Sequence, residues 1–349
     1  MKLPNILFIL VDALRQDYAY HPGMKFIDFL LERKEGGSYI FHNHFSSNSW
    51  TFPCLGSLFT GMEPIHHQLW KIEYSTIEHW EDWGVPNIFT YLKENFGYYT
   101  AWLGGAGFGG KEAGWGKLVN KKIDGLNLDN IQEGLKIIQK ERKTPGFVYI
   151  HFLHPHEWFK KFEQRLRELK ENPPLNEIEE WQAEYKKRLD ELDDFLLNSP
   201  EMQDFIEWAD MIILTADHGE GFRETPRDAI HTHSGDYYNP NVRRIPLVWW
   251  WKEFGERKAI VYKTRDLDIF PTLISMLKWK ENPDNWKENC KYKPLKIDGI
   301  SLFFYDMVKL LPSIHPKHPL ASWETYCLIS SDKKEDEKIK EKLKDLGYY

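Results

Sequence analysis

Cysteine is scarce in this chain. Three occur in 349 residues, Cys54, Cys290 and Cys327, an odd number without close spacing. That pattern excludes a disulfide framework and a thiolate zinc site as organising features. Long hydrophobic runs are missing too, since no apolar stretch approaches the roughly 20 residues of a membrane span. The N-terminal run "NILFILVD" is short, preceded by Pro4 and followed at once by Arg15 and Asp17, with no small-residue cleavage site. It reads as a first buried strand rather than a secretory signal. No large excess of one charge exists: 46 basic against 53 acidic side chains give a net charge of -7. Bulk binding to nucleic acid or to an anionic membrane therefore has no basis, and a cytoplasmic, soluble protein is expected. A phosphate-loop lysine is lacking as well. "GGAGFGG" (104–110) follows a strand without the Lys-Ser/Thr step and reads as a loop bordering a cleft.

Aromatic residues, by contrast, are plentiful at 15%, with 15 tryptophans. They suit a Trp-rich core first and an aromatic-lined cleft second. Short apolar runs alternate with helical patterns. "NILFILVD", "YYTAWLGG", "GFVYIHFLHPHE", "DMIILTADHG" and "RIPLVWWWK" read as strands, and "DLDIFPTLISML" as a helix. Such alternation argues for a parallel sheet covered on both faces, with ligands outside the carboxyl ends of its strands. The segment from about 160 to 207 is highly charged and is split by "NPP" into two helices. It is expected to be a solvated helical excursion off the sheet, with a lid over the site as the alternative. The tail "KKEDEKIKEKLKDLGYY" reads as a charged surface helix ending at Gly347.

Acids and imidazoles gather where strands should end. Asp12 closes the first, Asp217 and His218 close another, and His151, His154 and His156 follow "FVYI". One such carboxylate can simply cap a following helix. Several at one edge call for a cation, and two aspartates with a histidine suit Zn²⁺ or Mn²⁺. Thr51 stands just before "PCLGSLFTG", a stretch that can open a helix, since proline suits the first turn. Its hydroxyl is either an N-cap or a nucleophile whose alkoxide is favoured by the helix N-terminus.

Taken in order, "PNILFILVDALRQD", "NSWTFPCLGSLFTGMEPIHH", "FVYIHFLHPHEWF", "LTADHGEGF", "HTHSGDYYNPNVRRIPLVWW", "DLDIFPTLISML" and "KIDGISLF" resemble the sulfatase group of the alkaline phosphatase superfamily. The resemblance spans nearly the whole chain. It implies an α/β three-layer sandwich, with a large mixed, mostly parallel sheet between helices and a small C-terminal subdomain. Residues 1–275 would form the catalytic domain, and 276–349 would complete the same fold. It implies Asp12, Asp217 and His218 as metal ligands and Thr51 as nucleophile and further ligand. His156 matches a histidine that binds the transferred group or a second metal. His233 matches the histidine after Asp-His-Gly, with His231 as the alternative. His67 matches a histidine after the Thr-Gly turn, near the site, and Lys71 is similarly placed. Arg15 fits the first-helix pattern but reads first as a packing arginine.

The departures bear on chemistry. Sulfatases of the group carry Cys or Ser at the nucleophile, converted to formylglycine, with Ser-Arg beginning three residues after it, just past a proline. Here Thr51 stands at that position, Cys54-Leu55 replace Ser-Arg, and Ala13 follows Asp12 where many have a second aspartate. Cys54 is expected to pack. An Asp, Asp, His site with threonine resembles the branch acting on phosphate mono- and diesters, phosphonate esters or phosphoethanolamine. The expectation is a hydrolase of a small phospho- or sulfo-ester, using one or two divalent metals (Zn, Mn, Mg or Ca). Alternatives are a phospho-group transferase or mutase, a true sulfatase, and an inactive ligand-binding homologue.

Overall fold

The computed structural model describes residues 2–20, 22–67, 69, 87–105, 115–168, 173–222, 239–261 and 263–281. The apolar runs become strands: β1 Ile6–Val11, β2 Gly37–Phe41, β3 His44–Phe45, β4 Tyr99–Gly104, β5 Lys121–Ile123, β6 Gly146–Phe152, β7 Met211–Thr215, β8 Leu247–Trp251, β9 Lys258–Ile260 and β10 Thr264–Arg265. Eight of them form one sheet in the order β5-β4-β6-β1-β7-β8-β2-β9. β1 lies between β6 and β7, parallel to both, with Ile6 opposite Phe147 and Met211. β4 and β5 extend this parallel block. β8 runs antiparallel between β7 and β2, and β9 closes the edge parallel to β2. The sheet is therefore mixed and mostly parallel, as the resemblance implied.

The longer helices are α1 Lys25–Glu32, α2 Thr51–Thr60, α3 Ile88–Phe96, α4 Leu128–Glu141, α5 Leu175–Asn198, α6 Pro200–Trp208 and α7 Ile269–Glu281. Local chemistry sets their ends. Asn87 and Asn127 accept from the backbone N–H three residues on, and Ser199 does the same before Pro200. Each satisfies a donor that the first helical turn leaves open. Because β1 is buried on both sides, it can be apolar throughout, and its alternation feeds two cores. Ile6, Phe8 and Leu10 pack with α2, α3 and α7, while Leu7, Ile9 and Val11 pack with α1, α4, α5 and α6. Three layers result.

One expectation is overturned. The charged segment does break at "NPP", with one short helix ending at Glu168 and α5 starting after Pro174. Yet α5 is no solvated excursion. Ile178, Trp181, Tyr185, Leu189, Leu192 and Leu196 recur every three or four residues, and all are buried in the second core. Such a stripe occupies one helix face and leaves most of the charges to the other, Glu184 and Asp193 being buried exceptions. A high overall charge concealed it. Among the described residues no helix is long and apolar enough to cross a membrane. The expected C-terminal subdomain and tail helix fall almost wholly beyond residue 281, outside the described residues.

Leu192→Ala tests the placement of α5. Burial predicts a loss of about 2–5 kcal/mol of unfolding free energy in urea titrations. A change within about 0.5 kcal/mol, as for surface positions, would return α5 to solvent.

Candidate active site

Parallel pairing brings the carboxyl ends of β6, β1 and β7 to one edge, and there the expected residues converge. Asp12 follows β1 directly, its N–H donating to the Phe152 carbonyl at 2.9 Å. Asp217 and His218 follow β7. Thr51 reaches the same point from α2, whose N-cap is Trp50 and makes no side-chain cap. The Thr51 hydroxyl therefore does not cap the helix. Its Oγ1 stands 3.2 Å from His218 Nε2 and 3.4 Å from Asp12 Oδ2. All four side chains are buried.

The two aspartates are held asymmetrically. Asp217 Oδ1 accepts the backbone N–H groups of His218 at 2.9 Å and Ala13 at 3.2 Å. Asp12 Oδ2 faces Thr51 and His151 Nε2, the latter at 3.2 Å. The remaining oxygens, Asp12 Oδ1 and Asp217 Oδ2, are buried and accept no hydrogen bond among the described residues. His218 Nε2 sits 3.7 Å from the first and 3.5 Å from the second. His218 Nδ1 lies 2.7 Å from the Gly219 carbonyl, which can only accept, so Nδ1 carries a proton. Nε2 is then the nitrogen turned to the two carboxylates, and a cation held between them would satisfy all three groups. One ligand atom from each of Asp12, Asp217 and His218 lies within 4.8 Å of the others. Two carboxylate oxygens and an imidazole nitrogen fit a divalent metal. Asp12 titrates well below the usual carboxylate range: burial works against its charge, but His156, His151 and His218 together outweigh it.

His151 is the residue that strand-end reasoning named but gave no role. It lies within β6 opposite Leu10, fully buried. The double glycine at the end of β4 makes room for it. Gly105 has φ +54°, and a Cβ there would stand 2.6 Å from His151 Nδ1. Gly105 thus serves ring packing and Gly104 close approach to the His151 carbonyl oxygen, which a Cβ would meet at 2.3 Å, while 106–110 lie outside the described residues. Gly219 is constrained by close approach, since a Cβ there would meet the Asn241 carbonyl oxygen at 2.0 Å.

His156 stands at the margin of the cluster, its ring centroid 6.3 Å from that of His218. His154 turns away to Glu191. His67 belongs to α2 packing rather than to the cluster. Its Nε2 meets Ser57 Oγ at 3.1 Å, its Nδ1 accepts from Leu69 N–H, and burial pushes its pKa down to about 3. Neither nitrogen remains for a metal or substrate. Arg15 packs between the Tyr18 and Phe222 rings and pairs with Asp17. Cys54 is buried, with its thiol pushed well up by burial and by Asp266 and Asp217, so it packs as expected. His231, His233 and Lys71 lie outside the described residues.

Behind the cluster, Asp266 anchors the loop leading to Thr51. Its carboxylate accepts from the Ser47 N–H at 2.9 Å, from the Ser47 hydroxyl, and from Leu267 N–H at 2.8 Å. Burial outweighs these bonds and lifts its pKa to about 7. "DLDIF" carried the only hint of it in the sequence, as an acid one turn before a helix.

The family described as Sulfatase matches residues 4–278. No curated protein matches the chain. Similar solved structures include BT1596, a 2-O GAG sulfatase, at TM-score 0.61 and 17% identity over 86% of this chain and 73% of that one. The phosphonate monoester hydrolase SpPMH from Silicibacter pomeroyi gives 0.57 and 14% over 85% and 75%. The zinc complex of the C-terminal periplasmic domain of EcEptC from Escherichia coli gives 0.56 and 15% over 78% and 82%. At these identities the likeness is one of fold.

Two measurements check the site. Mn²⁺ at about 100 times its Kd should stabilise the wild type by about 2.7 kcal/mol, read as a thermal shift. Asp217→Asn should abolish that shift, yet leave the metal-free protein no less stable, because it removes one of two facing carboxylates. For Asp266, the carboxyl ionises near 3.8 when unfolded and near 7 when folded. Between these values the folded state binds more protons, so stability falls as pH rises, and the loss is complete above about 7. Urea titrations from pH 4 to 8 should show the wild type losing stability relative to Asp266→Asn across that window. A flat difference would contradict the assignment.

Proposed function

The chain belongs to the sulfatase family of ester hydrolases, and from that premise we propose that it cleaves phosphate or phosphonate esters through Thr51. The observation that carries this reading is the threonine hydroxyl 3.2 Å from His218 Nε2 and 3.4 Å from Asp12 Oδ2. Formylglycine needs a β-carbon bearing one heteroatom and two hydrogens. The Thr51 methyl blocks that conversion, so the alcohol itself is the nucleophile.

Asp12, Asp217 and His218 would hold a divalent cation, which when bound lowers the pKa of a neighbouring hydroxyl and offsets developing negative charge. The rest is work for the chain. His151 donates to Asp12 Oδ2 and leaves Oδ1 directed into the cluster. Gly219 fixes the His218 tautomer through Nδ1. Thr51 gives its proton to water, its Oγ1 bonds to phosphorus in line, and the bond from phosphorus to the ester oxygen breaks on the far side. His156 and the uncapped N-terminus of α2 face the non-bridging oxygens. His233, or His231, protonates the departing oxygen. Water then attacks phosphorus, the Thr51–phosphorus bond breaks, and Thr51 recovers its proton.

A panel of 4-nitrophenyl phosphate, bis-phosphate, phenylphosphonate and sulfate esters, each with Mn²⁺ or Zn²⁺, tests the reading. Thr51→Ala should lose more than about 10³-fold in kcat while keeping its fold. Preferred cleavage of the sulfate ester, or a Thr51→Ala variant that retains turnover, would overturn it. Added alcohol that captures the phosphoryl group faster than water would mark a transferase. Metal binding without cleavage of any ester would mark a protein that has lost catalysis.

A further inference from the structure

We propose that Tyr185, on the charged helix α5, is a positioning residue for the cation site: its hydroxyl locks Ala13 in the left-handed conformation that aims Asp12 and Asp217 inward. The inference rests on the proposed role of Asp12, Asp217 and His218 as cation ligands and extends it to a helix that carries none of them.

Ala13 has φ 59° and is the one non-glycine residue with positive φ among the described residues. Side chains of L-residues resist that region, because Cβ crowds the following carbonyl. Something must hold it there, and the Tyr185 hydroxyl does so on both sides. It donates to the Ala13 carbonyl at 2.8 Å and accepts from the Arg15 N–H at 3.0 Å. Burial raises the phenol pKa, so its proton remains available to Ala13. The Tyr185 ring is fully buried and set by edge contacts to Tyr18 and Phe222, with centroids at 5.1 and 5.2 Å. The hydroxyl is therefore delivered by a fixed ring, not by a mobile side chain.

The turn it holds reaches both carboxylates. In the left-handed conformation the Ala13 N–H donates to Asp217 Oδ1, beside the His218 N–H. With Oδ1 so occupied, Oδ2 is the oxygen left to face Asp12 Oδ1 and His218 Nε2. Were Ala13 to relax to a right-handed conformation, its N–H would leave Asp217 and the peptide next to Asp12 would rotate. Both ligands would lose their aim at once, without any change in their chemistry.

Isothermal calorimetry with Mn²⁺ on the full chain decides the matter, using the wild type, Tyr185→Phe, Ala13→Gly and the double variant. Tyr185→Phe keeps the ring and its packing. It should weaken Mn²⁺ about tenfold, the scale of one left-handed alanine penalty. Glycine takes positive φ without that penalty. In the Ala13→Gly background, loss of the hydroxyl should therefore change the Kd by less than about twofold. Ala13→Val, with Tyr185 intact, should weaken Mn²⁺ as Tyr185→Phe does, which keeps a second route open if the phenylalanine variant folds poorly. A merely structural role would lower the melting temperature and leave Mn²⁺ affinity unchanged. An unchanged Kd in Tyr185→Phe, or a tenfold loss undiminished by Ala13→Gly, overturns the inference alone. A wild type that binds no Mn²⁺ overturns the cation reading and this inference with it.

Discussion

Two buried carboxylates face each other at the carboxyl edge of this sheet, and much of the surrounding structure answers to that conflict. Asp12 Oδ1 and Asp217 Oδ2 are buried without hydrogen bonds among the described residues. Their ligand atoms lie within 4.8 Å of each other, and two unit charges at that limit repel by about 3.5 kcal/mol at an effective dielectric of about 20. Neighbours relieve part of this. Asp217 Oδ1 takes two backbone N–H groups, and the imidazoles of His156, His151 and His218 hold Asp12 in its ionised form. Their placement needs three adjacent parallel strands ending together, a double glycine beside His151, and a glycine where Asn241 passes. A fold that keeps such a pair buried keeps it for a cation.

Most of the sheet was legible because a parallel strand buried on both faces must be apolar throughout. "ILFILV" meets that condition, "MIILT" does so but for its last residue and "GFVYIHF" but for His151, while β8, antiparallel yet equally buried, shows it in three consecutive tryptophans. The short strands β3, β5, β9 and β10 have two or three residues each, too few for any periodicity to register. α5 was misread for a different reason. Twenty-four residues rich in Glu, Lys and Asp suggest solvent when counted, but the count ignores that six apolar positions share one face. Burial follows the pattern, not the average.

At the site, ligand-type residues could be read where strands end, because the chain must leave the sheet there. Asp12, Thr51, Asp217 and His218 came together as that logic requires. His151 received no role because a histidine inside an apolar strand carries no signal of what lies beside it. Its partner, Asp12, is 139 residues away, and only the β1–β6 register joins them. Asp266 and Tyr185 escaped for the same reason: both act through backbone groups of distant segments, and sequence pattern does not encode such pairs. Spacing can reveal ligands on one element, whereas the groups that orient them come from wherever the fold passes close.

The threonine then bears on chemistry more directly than family membership does. A fold shared at 14–17% identity with a sulfatase and a phosphonate monoester hydrolase does not choose between them. The choice lies in the atom presented to the substrate. An unmodified secondary alcohol attacks and is then released by water, so the covalent ester must break at the transferred group. A formylglycine hydrate has another exit, since its second hydroxyl can expel the sulfate by re-forming the aldehyde. Thr51 lacks that exit. Release from it, on the proposed reading, needs in-line attack by water at the transferred centre, where the cation that Asp12, Asp217 and His218 would hold, together with His156 and the α2 N-terminus, offsets the charge. On the proposed reading, phosphorus suits this route, because charge spread over its equatorial oxygens is what such surroundings stabilise.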